Sequence, residues 1–354
     1  MNRKKDGIFV VRELYLSALH NVNVYRLWAG VQKFGPPVLA GFLVIFVWGK
    51  LTVFAATAGT EDGRALGLRL IPDAAAVGDV AVMEIAIRHP EQPVSDIQLR
   101  FRDTLIPLFE HPRKGRDVLI GLIAIPYHSN PGTETIGLGW RDRKGHHERT
   151  VSLKILSRRF KSEKLQVTPS RVTPAPKDIE RIKRERKEVR AVYAASPPRR
   201  LWNEPFQRPS NGLVTSPYGT RRLLNGKLKS YHGGVDFRAA IGTPIYAANT
   251  GVVGLAKNLF YSGNIVVLDH GSGLFTTYAH LSRIDVSPGR LVEKGQVIGL
   301  AGATGRVSGP HLHWGVKVNG VNVNPLHMLQ TLNSLFAVDA TGAVDVSQPP
   351  VVRK

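Results

Sequence analysis

At 354 residues the chain is long enough for two domains, and its 43% hydrophobic content excludes a chain that is disordered throughout. It contains no cysteine, so any bound metal must be held by histidine and carboxylate ligands. The formal net charge of +21 favours an anionic partner such as nucleic acid, a membrane surface or cell-wall polymer, but charge alone does not choose among them.

An apolar run near the amino terminus predicts export. Residues 1–33 are basic, and residues 34–58 are apolar apart from Lys50, which together make a run long enough to cross a bilayer as a helix. The basic flank is expected to stay in the cytoplasm while the rest of the chain lies outside. We therefore expect a membrane anchor at 34–58; the alternative is a signal peptide cleaved after Ala56-Thr57-Ala58.

Residues 65–158 are predicted to form a small immunoglobulin-like β domain, because short β-type runs alternate there with turn residues. His111 in this region is assigned to the surface. The β-type runs are Val80–Ile87, Ile97–Phe101, Val118–Ile125, Thr135–Trp140 and Thr150–Leu156.

Residues 159–200 are predicted to be a proline-flanked linker that contains one charged helix, residues 177–194. The narrow apolar stripe and the mixed acidic and basic residues of this helix favour a solvated spacer over a nucleic-acid-binding patch.

Residues 201–330 are predicted to form a compact, barrel-like β-sheet domain with no long helix. The segment Val316–Val323, with Asn319-Gly320 at its centre, is typical of a type I′ hairpin. His270 is assigned to a turn and His327 to the surface. Residues 339–354 are expected to be a flexible tail.

Three histidine-bearing segments in this last domain predict a metal site. His311 and His313 lie in a β-type run, where alternate side chains share one face. The His232-Gly-Gly-Val-Asp236 segment adds an imidazole and a carboxylate, and Tyr278-Ala279-His280 adds another imidazole. Two histidines and one carboxylate around an open position form a catalytic zinc site, so the pattern predicts a zinc hydrolase.

The order of these motifs resembles that of the lysostaphin/LytM-type zinc endopeptidases, which cut peptidoglycan peptides. The resemblance covers about residues 212–328. It implies a single zinc ion held by His232, Asp236 and His313, with His280 and His311 as the catalytic histidines, and leaves open which of these two is the general base. The motifs that carry it are H-G-G-V-D-F from His232, A-A-x-x-G-x-V from Ala247, Y-A-H-L from Tyr278, K-G-Q-x-I-G from Lys294 and G-x-T-G-x-x-x-G-P-H-L-H from Gly302.

Other residues near these motifs are candidates for contact with the substrate. Tyr278 is two residues from His280, so strand alternation predicts that both side chains share a face, which makes Tyr278 a candidate to line the groove, with a position away from it as the alternative. Arg221, Arg222 and Asn225 precede His232 in a predicted loop and are candidates to meet a substrate carboxylate, with a solvated loop charge as the alternative.

The resulting hypothesis is an exported, membrane-anchored zinc endopeptidase that hydrolyses peptide cross-links or stems of peptidoglycan. The alternative is a non-catalytic regulator that activates other cell-wall hydrolases, since some relatives have lost metal ligands; the complete His/Asp set disfavours it. Nucleic-acid binding rests on charge alone, and the export segment counts against it.

Overall fold

The computed structural model describes residues 65–88, 93–113, 116–165, 174–224 and 227–341. As predicted, the described chain is mainly β. The predicted membrane anchor at 34–58 lies outside these residues. None of the helices within them is long and apolar enough to span a membrane.

The N-terminal part is a sandwich of two sheets. One sheet has the strand order β1-β3-β7-β6 and the other β2-β9-β8-β4-β5. Side chains from both sheets fill the space between them, among them Met83, Leu99 and Ile123, each 0% exposed. The strands are β1 (Leu66–Ile71), β2 (Ala74–Ala76), β3 (Val80–Ile87), β4 (Ser95–Phe101), β5 (Thr104–Ile106), β6 (Leu108–Arg113), β7 (Arg116–Ala124), β8 (Gly132–Asp142) and β9 (Gly145–Leu156).

The C-terminal part is built on a ten-stranded sheet with the central order β11-β14-β21-β18-β17-β16-β19. In addition, β20 pairs with β15 and β18, and β22 pairs with β21. The strands of this sheet are β11 (Val214–Ser216), β14 (Gly234–Arg238), β15 (Pro244–Tyr246), β16 (Gly251–Leu259), β17 (Gly263–Asp269), β18 (Leu274–Ile284), β19 (Leu291–Val292), β20 (Val297–Ala301), β21 (His311–Val318) and β22 (Val321–Val323). A separate three-stranded sheet has the order β10-β12-β13, with β12 at Arg221–Leu224 and β13 at Lys227–Tyr231.

The hairpin between β21 and β22 is confirmed. Val316 pairs with Val323, and Asn319 and Gly320 have φ angles of 48° and 82°. Two consecutive left-handed residues are what a type I′ turn requires, and Asn-Gly is the pair that adopts them with least strain.

The segment predicted as a linker is packed against the C-terminal part instead of spanning solvent. Strand β10 (Ser162–Leu165) pairs in parallel with β12, and helix α1 (Pro176–Tyr193) lies on β16. The helix buries Val192 in a cluster with Leu255 and Phe275. Its charged face is solvated as predicted, but its apolar stripe packs against the C-terminal part.

A second helix, α2 (Pro325–Thr341), lies where no helix was predicted. The Asn324 side chain accepts a hydrogen bond from the Leu326 amide, and proline follows at the first helical position, which is a common way to begin a helix. Met328 and Leu332 on α2 are fully buried.

Strand β3 explains how the two parts are joined. Its apolar run is buried on both faces: Ala81 and Met83 face the sandwich core, whereas Val80 and Val82 belong to the cluster that contains Trp202. A strand with two apolar faces needs a partner on each side. The outer face of the first sandwich sheet and the ten-stranded sheet therefore share one core.

Three histidines are less exposed than their local sequence suggests: His270 lies in the predicted turn, between β17 and β18, whereas His111 and His327 were predicted at the surface. His111 is 1% exposed, with its Nδ1 2.8 Å from Nη1 of Arg200. His270 is 0% exposed. The Nε2 atom of His327 lies 3.4 Å from Oδ2 of Asp79, at the junction of the two parts. His111 and His270 are buried, and His327 is half-buried, by contacts between segments distant in sequence, which local turn signals do not reveal.

Candidate metal centre

Pairing between β14 and β21 brings the predicted ligands together. Asp236 is directly opposite His313 in the register, so both side chains leave the sheet on the same face. His232 lies two residues before β14. Oδ1 of Asp236 is 2.9 Å from Nε2 of His232 and 2.8 Å from Nδ1 of His313, and these two nitrogens are 2.9 Å apart.

The chemistry of these three atoms fits a cation. Nδ1 of His232 lies 3.0 Å from the Pro217 carbonyl, which can only accept, so Nδ1 carries the proton and Nε2 presents a lone pair. That lone pair converges with those of Asp236 and His313 on one point. Zinc distances of about 2.0–2.1 Å in a tetrahedral site place neighbouring ligand atoms about 3.3 Å apart, a few tenths of an ångström wider than this triangle. The three residues therefore fit zinc with small side-chain shifts.

The turn that carries His232 requires glycine for reasons of space. A Cβ atom at Gly234 would collide with the Trp314 carbonyl and lie 2.9 Å from Cε1 of His313. The glycine allows β14 to approach β21 closely enough for the two histidines to meet.

Asp236 is held in its charged form. Burial alone would raise its pKa, but the adjoining imidazoles of His232 and His313 bring that pKa well below its ordinary value. Its second oxygen, Oδ2, lies 3.4 Å from Nη2 of Arg222. Arg222 was one of three candidates to meet a substrate carboxylate; the structure places it against Asp236 instead.

The two predicted catalytic histidines form a second group beside the first. Their ring centroids are 4.8 Å apart, and the rings of His280 and His313 are 6.0 Å apart. Nε2 of His311 is 3.8 Å from Oδ1 of Asp236. All five predicted histidine and aspartate residues therefore lie around one point, although their roles stay predictions.

Backbone carbonyls set the proton positions of both catalytic candidates. Nδ1 of His280 donates to the Thr304 carbonyl at 2.9 Å, and Nδ1 of His311 donates to the Gly309 carbonyl at 2.8 Å. Each Nε2 is consequently left with a free lone pair. Burial, followed by the charge of His313, lowers the pKa of His280 to about 4.

A bulge in β18 directs His280 toward the site. Val266 pairs with Tyr278, but Asn264 pairs with Leu281, so an extra residue lies on β18 between these pairs. His280 has a φ angle of 65°. The regular alternation of side chains is interrupted at this residue.

The bulge also makes the prediction for Tyr278 wrong. Tyr278 is 0% exposed, and its hydroxyl accepts a hydrogen bond from the Ala248 amide at 2.8 Å. It belongs to the core and does not line a groove, because the alternation that placed it on the face of His280 fails at the bulge.

The remaining substrate candidates are not gathered at the site. Arg221 lies on β12, not in a loop, and is exposed, while its neighbour Arg222 points inward, as alternation requires. Asn225 lies outside the described residues. The contact between the Thr304 carbonyl and His280 was not predicted, although Thr304 stands inside the G-x-T-G motif.

Comparison with known proteins adds independent observations. Residues 230–325 match the model of peptidase family M23. The chain is 46% identical over 125 residues to peptidoglycan DD-endopeptidase ShyA of Vibrio cholerae, a match that covers 34% of this chain and 29% of that protein. It is 40% identical over 126 residues to DD-carboxypeptidase/endopeptidase Mpg of Neisseria meningitidis, covering 36% of this chain and 29% of that protein. The matched segment thus spans less than a third of these relatives.

One solved structure extends the similarity beyond residues 230–325. A Pseudomonas aeruginosa protein described as an M23 peptidase superposes with a TM-score of 0.54 at 31% sequence identity. That match covers 72% of this chain and 94% of the other. By this extent of similarity, and by the family match over the metal centre, the chain belongs to peptidase family M23.

Proposed function

We propose that this protein is a zinc-dependent endopeptidase that hydrolyses peptide bonds in peptidoglycan. The observation that carries the proposal is the geometry of five side chains: three acceptor atoms converge on a cation site, and two imidazoles present free Nε2 atoms beside it. The names of the relatives from Vibrio cholerae and Neisseria meningitidis support peptidoglycan peptides as the substrate class.

The residues of the chain divide the work of hydrolysis. When bound, zinc supplies Lewis acidity to a site of this kind. Nε2 of His280 and Nε2 of His311 are positioned to accept a proton from the attacking water or to return one to the departing amine. The Thr304 and Gly309 carbonyls keep the Nδ1 protons in place, so each ring acts through one nitrogen only.

The exported position is part of the same proposal. A peptidoglycan substrate lies outside the cytoplasmic membrane, in agreement with the anchor expected at 34–58. Fusing an alkaline phosphatase reporter, which is active only after export, to the carboxyl terminus tests this. Reporter activity is expected for the full-length fusion, and its loss is expected on deleting residues 34–58. A full-length fusion without reporter activity would contradict export, and activity that survives the deletion would contradict the role of residues 34–58.

The proposed activity is tested with the full-length protein, its His313→Ala variant and a matched control, His146→Ala, which removes an exposed imidazole from the sandwich. Purified sacculi are digested, and released peptides are identified by mass spectrometry while zinc content is measured. We expect peptide release and one zinc ion per chain for the wild type and the control, and neither for His313→Ala. Equal digestion by all three proteins would contradict the ligand assignment. One bound zinc without peptide release would favour the regulatory alternative.

A further inference from the structure

An open cavity at the carboxyl end of β14 is not used by the mechanism above. Its volume is about 320 Å³, and it is lined by residues 210–212, residues 238–240, Thr243, Pro244 and Tyr246. Arg238 is the charged residue of this lining.

Strand pairing places Arg238 on the same face as the metal centre. Asp236 is opposite His313, and Arg238 is opposite His311, with no register shift between these pairs. The intervening Phe237 is 0% exposed on the other face. Two residues along a strand correspond to about 7 Å, so the Arg238 side chain begins about one dipeptide away from the metal ligand.

The guanidinium of Arg238 is available. Its side chain is exposed, and among the described residues no ion pair or side-chain hydrogen bond engages it. The nearby Arg208, by contrast, lies over the Phe237 ring at 4.7 Å and donates to the Gly212 carbonyl. The Arg208 side chain therefore has partners within the fold, whereas the Arg238 guanidinium at the edge of the cavity has no side-chain partner among the described residues.

We propose that Arg238 and this cavity form a subsite for a carboxylate of the peptide substrate, located one or two residues from the bond that is hydrolysed. The proposal rests on the proposed function and extends it to substrate choice. A guanidinium matches a carboxylate through two parallel hydrogen bonds, which an uncharged amide cannot reproduce. A peptide that carries a free carboxylate at this position is therefore bound in preference to its amidated form.

The test uses pairs of synthetic cross-linked stem peptides that differ at one carboxyl group, free in one peptide and a primary amide in the other. Each carboxyl group is examined in turn. The proteins are the full-length wild type, Arg238→Gln, Arg238→Lys and the control Arg290→Gln, which removes an exposed arginine elsewhere in the domain. For each protein the ratio of kcat/KM between the free and the amidated peptide is measured, and circular dichroism checks that the variants are folded.

For at least one carboxyl position we expect the wild type and Arg290→Gln to favour the free acid by about fivefold, the size of a partly exposed ion pair. Arg238→Gln should bring the ratio to near 1, and Arg238→Lys should retain part of the preference. A wild-type ratio of 1 at every position, or an unchanged ratio in Arg238→Gln, would overturn the subsite.

A calorimetric measurement separates this proposal from the proposed function. If no protein hydrolyses either peptide, the function fails, but the affinities of the metal-free protein for the two peptides still report on Arg238. Tighter binding of the free acid that disappears in Arg238→Gln would support the subsite. Equal binding of both peptides by the wild type would reject it.

Discussion

Two buried aspartates show how the same residue type serves stability in one region and chemistry in another. Asp79 in the sandwich is 2% exposed, and its two oxygens accept hydrogen bonds from Nη1 and Nη2 of Arg158, at 2.6 and 2.7 Å. Asp236 in the ten-stranded sheet is 6% exposed, and its Oδ1 faces two imidazole nitrogens. The partners of Asp79 bring their own protons and charge, so that site is complete. Around Asp236, by contrast, lone pairs of the carboxylate and of two imidazoles point to one position, and a cation there would stabilise them.

The largest effect is expected when the carboxylate of the metal centre is neutralised. Asp236→Asn should remove zinc from the protein and lower peptide hydrolysis by roughly a thousandfold or more, because one of three protein ligands loses its charge. Zinc content and the rate of peptide release measure the change. Asp285→Asn, at an exposed carboxylate, is the control. An Asp236→Asn protein that keeps a full complement of zinc would break the comparison.

A buried histidine that is not a ligand should make stability depend on pH. His270 donates from Nδ1 to the Thr250 carbonyl at 2.8 Å, and burial lowers its pKa to about 4. Between about pH 6.5 and 4 the unfolded chain binds a proton that the folded chain refuses, so stability falls as pH decreases through this window. The loss is on the order of 3 kcal/mol and levels off below pH 4.

This dependence is measured as the difference between wild type and His270→Gln in urea unfolding at several pH values. The difference should shrink as the pH falls from 7 to 4, since glutamine does not titrate. A constant difference across that range would show that His270 is not the group responsible.

Breaking the complete site in the sandwich should affect stability rather than metal binding. Asp79→Ala leaves Arg158 without its two-point partner and should lower the free energy of unfolding by about 2–3 kcal/mol. Zinc content is expected to stay at one ion per chain. A loss of zinc in folded Asp79→Ala protein would mean that the two aspartates are coupled rather than separate.

The smallest effect is expected from the residue that orients His280. The Thr304 hydroxyl donates to the Leu281 carbonyl at 2.7 Å and accepts from the Asn264 amide at 2.9 Å, which fixes the carbonyl that holds Nδ1 of His280. Thr304→Val should lower kcat about tenfold to a hundredfold, and Thr304→Ser should restore most of it. Nitrogen NMR of the His280 ring should show the loss of a single tautomer in the valine variant. An unchanged ring spectrum would argue against this role.

The convergence of the histidine and aspartate side chains could be predicted because most of the pattern follows short-range rules. His311 and His313 share a face in a regular strand, and Asn319-Gly320 sets the hairpin that follows. His280 and Tyr278 depart from the same rule, because the extra residue of a bulge depends on how β18 pairs with β17. No local pattern distinguishes a bulged strand from a regular one.

Errors in the fold have a similar origin. The apolar run of β3 correctly predicted a strand. The run also implies that both faces of the strand are buried, but it does not show which segment packs against the second face. Helix α2 could have been found, since Asn324-Pro325 followed by apolar residues three and four positions apart is a helix-start signal. The parallel pairing of β10 with β12 joins segments more than fifty residues apart, and sequence periodicity carries no information on such pairing.

The two-sided burial of β3 also bears on how the protein can be divided experimentally. A fragment that begins at residue 200 would leave Trp202 and Met328 without Val80 and Val82 and would lack both β10 and α1. Such a fragment is expected to expose a large hydrophobic surface and to aggregate. Fusion or transplantation of the catalytic unit should therefore carry the sandwich with it.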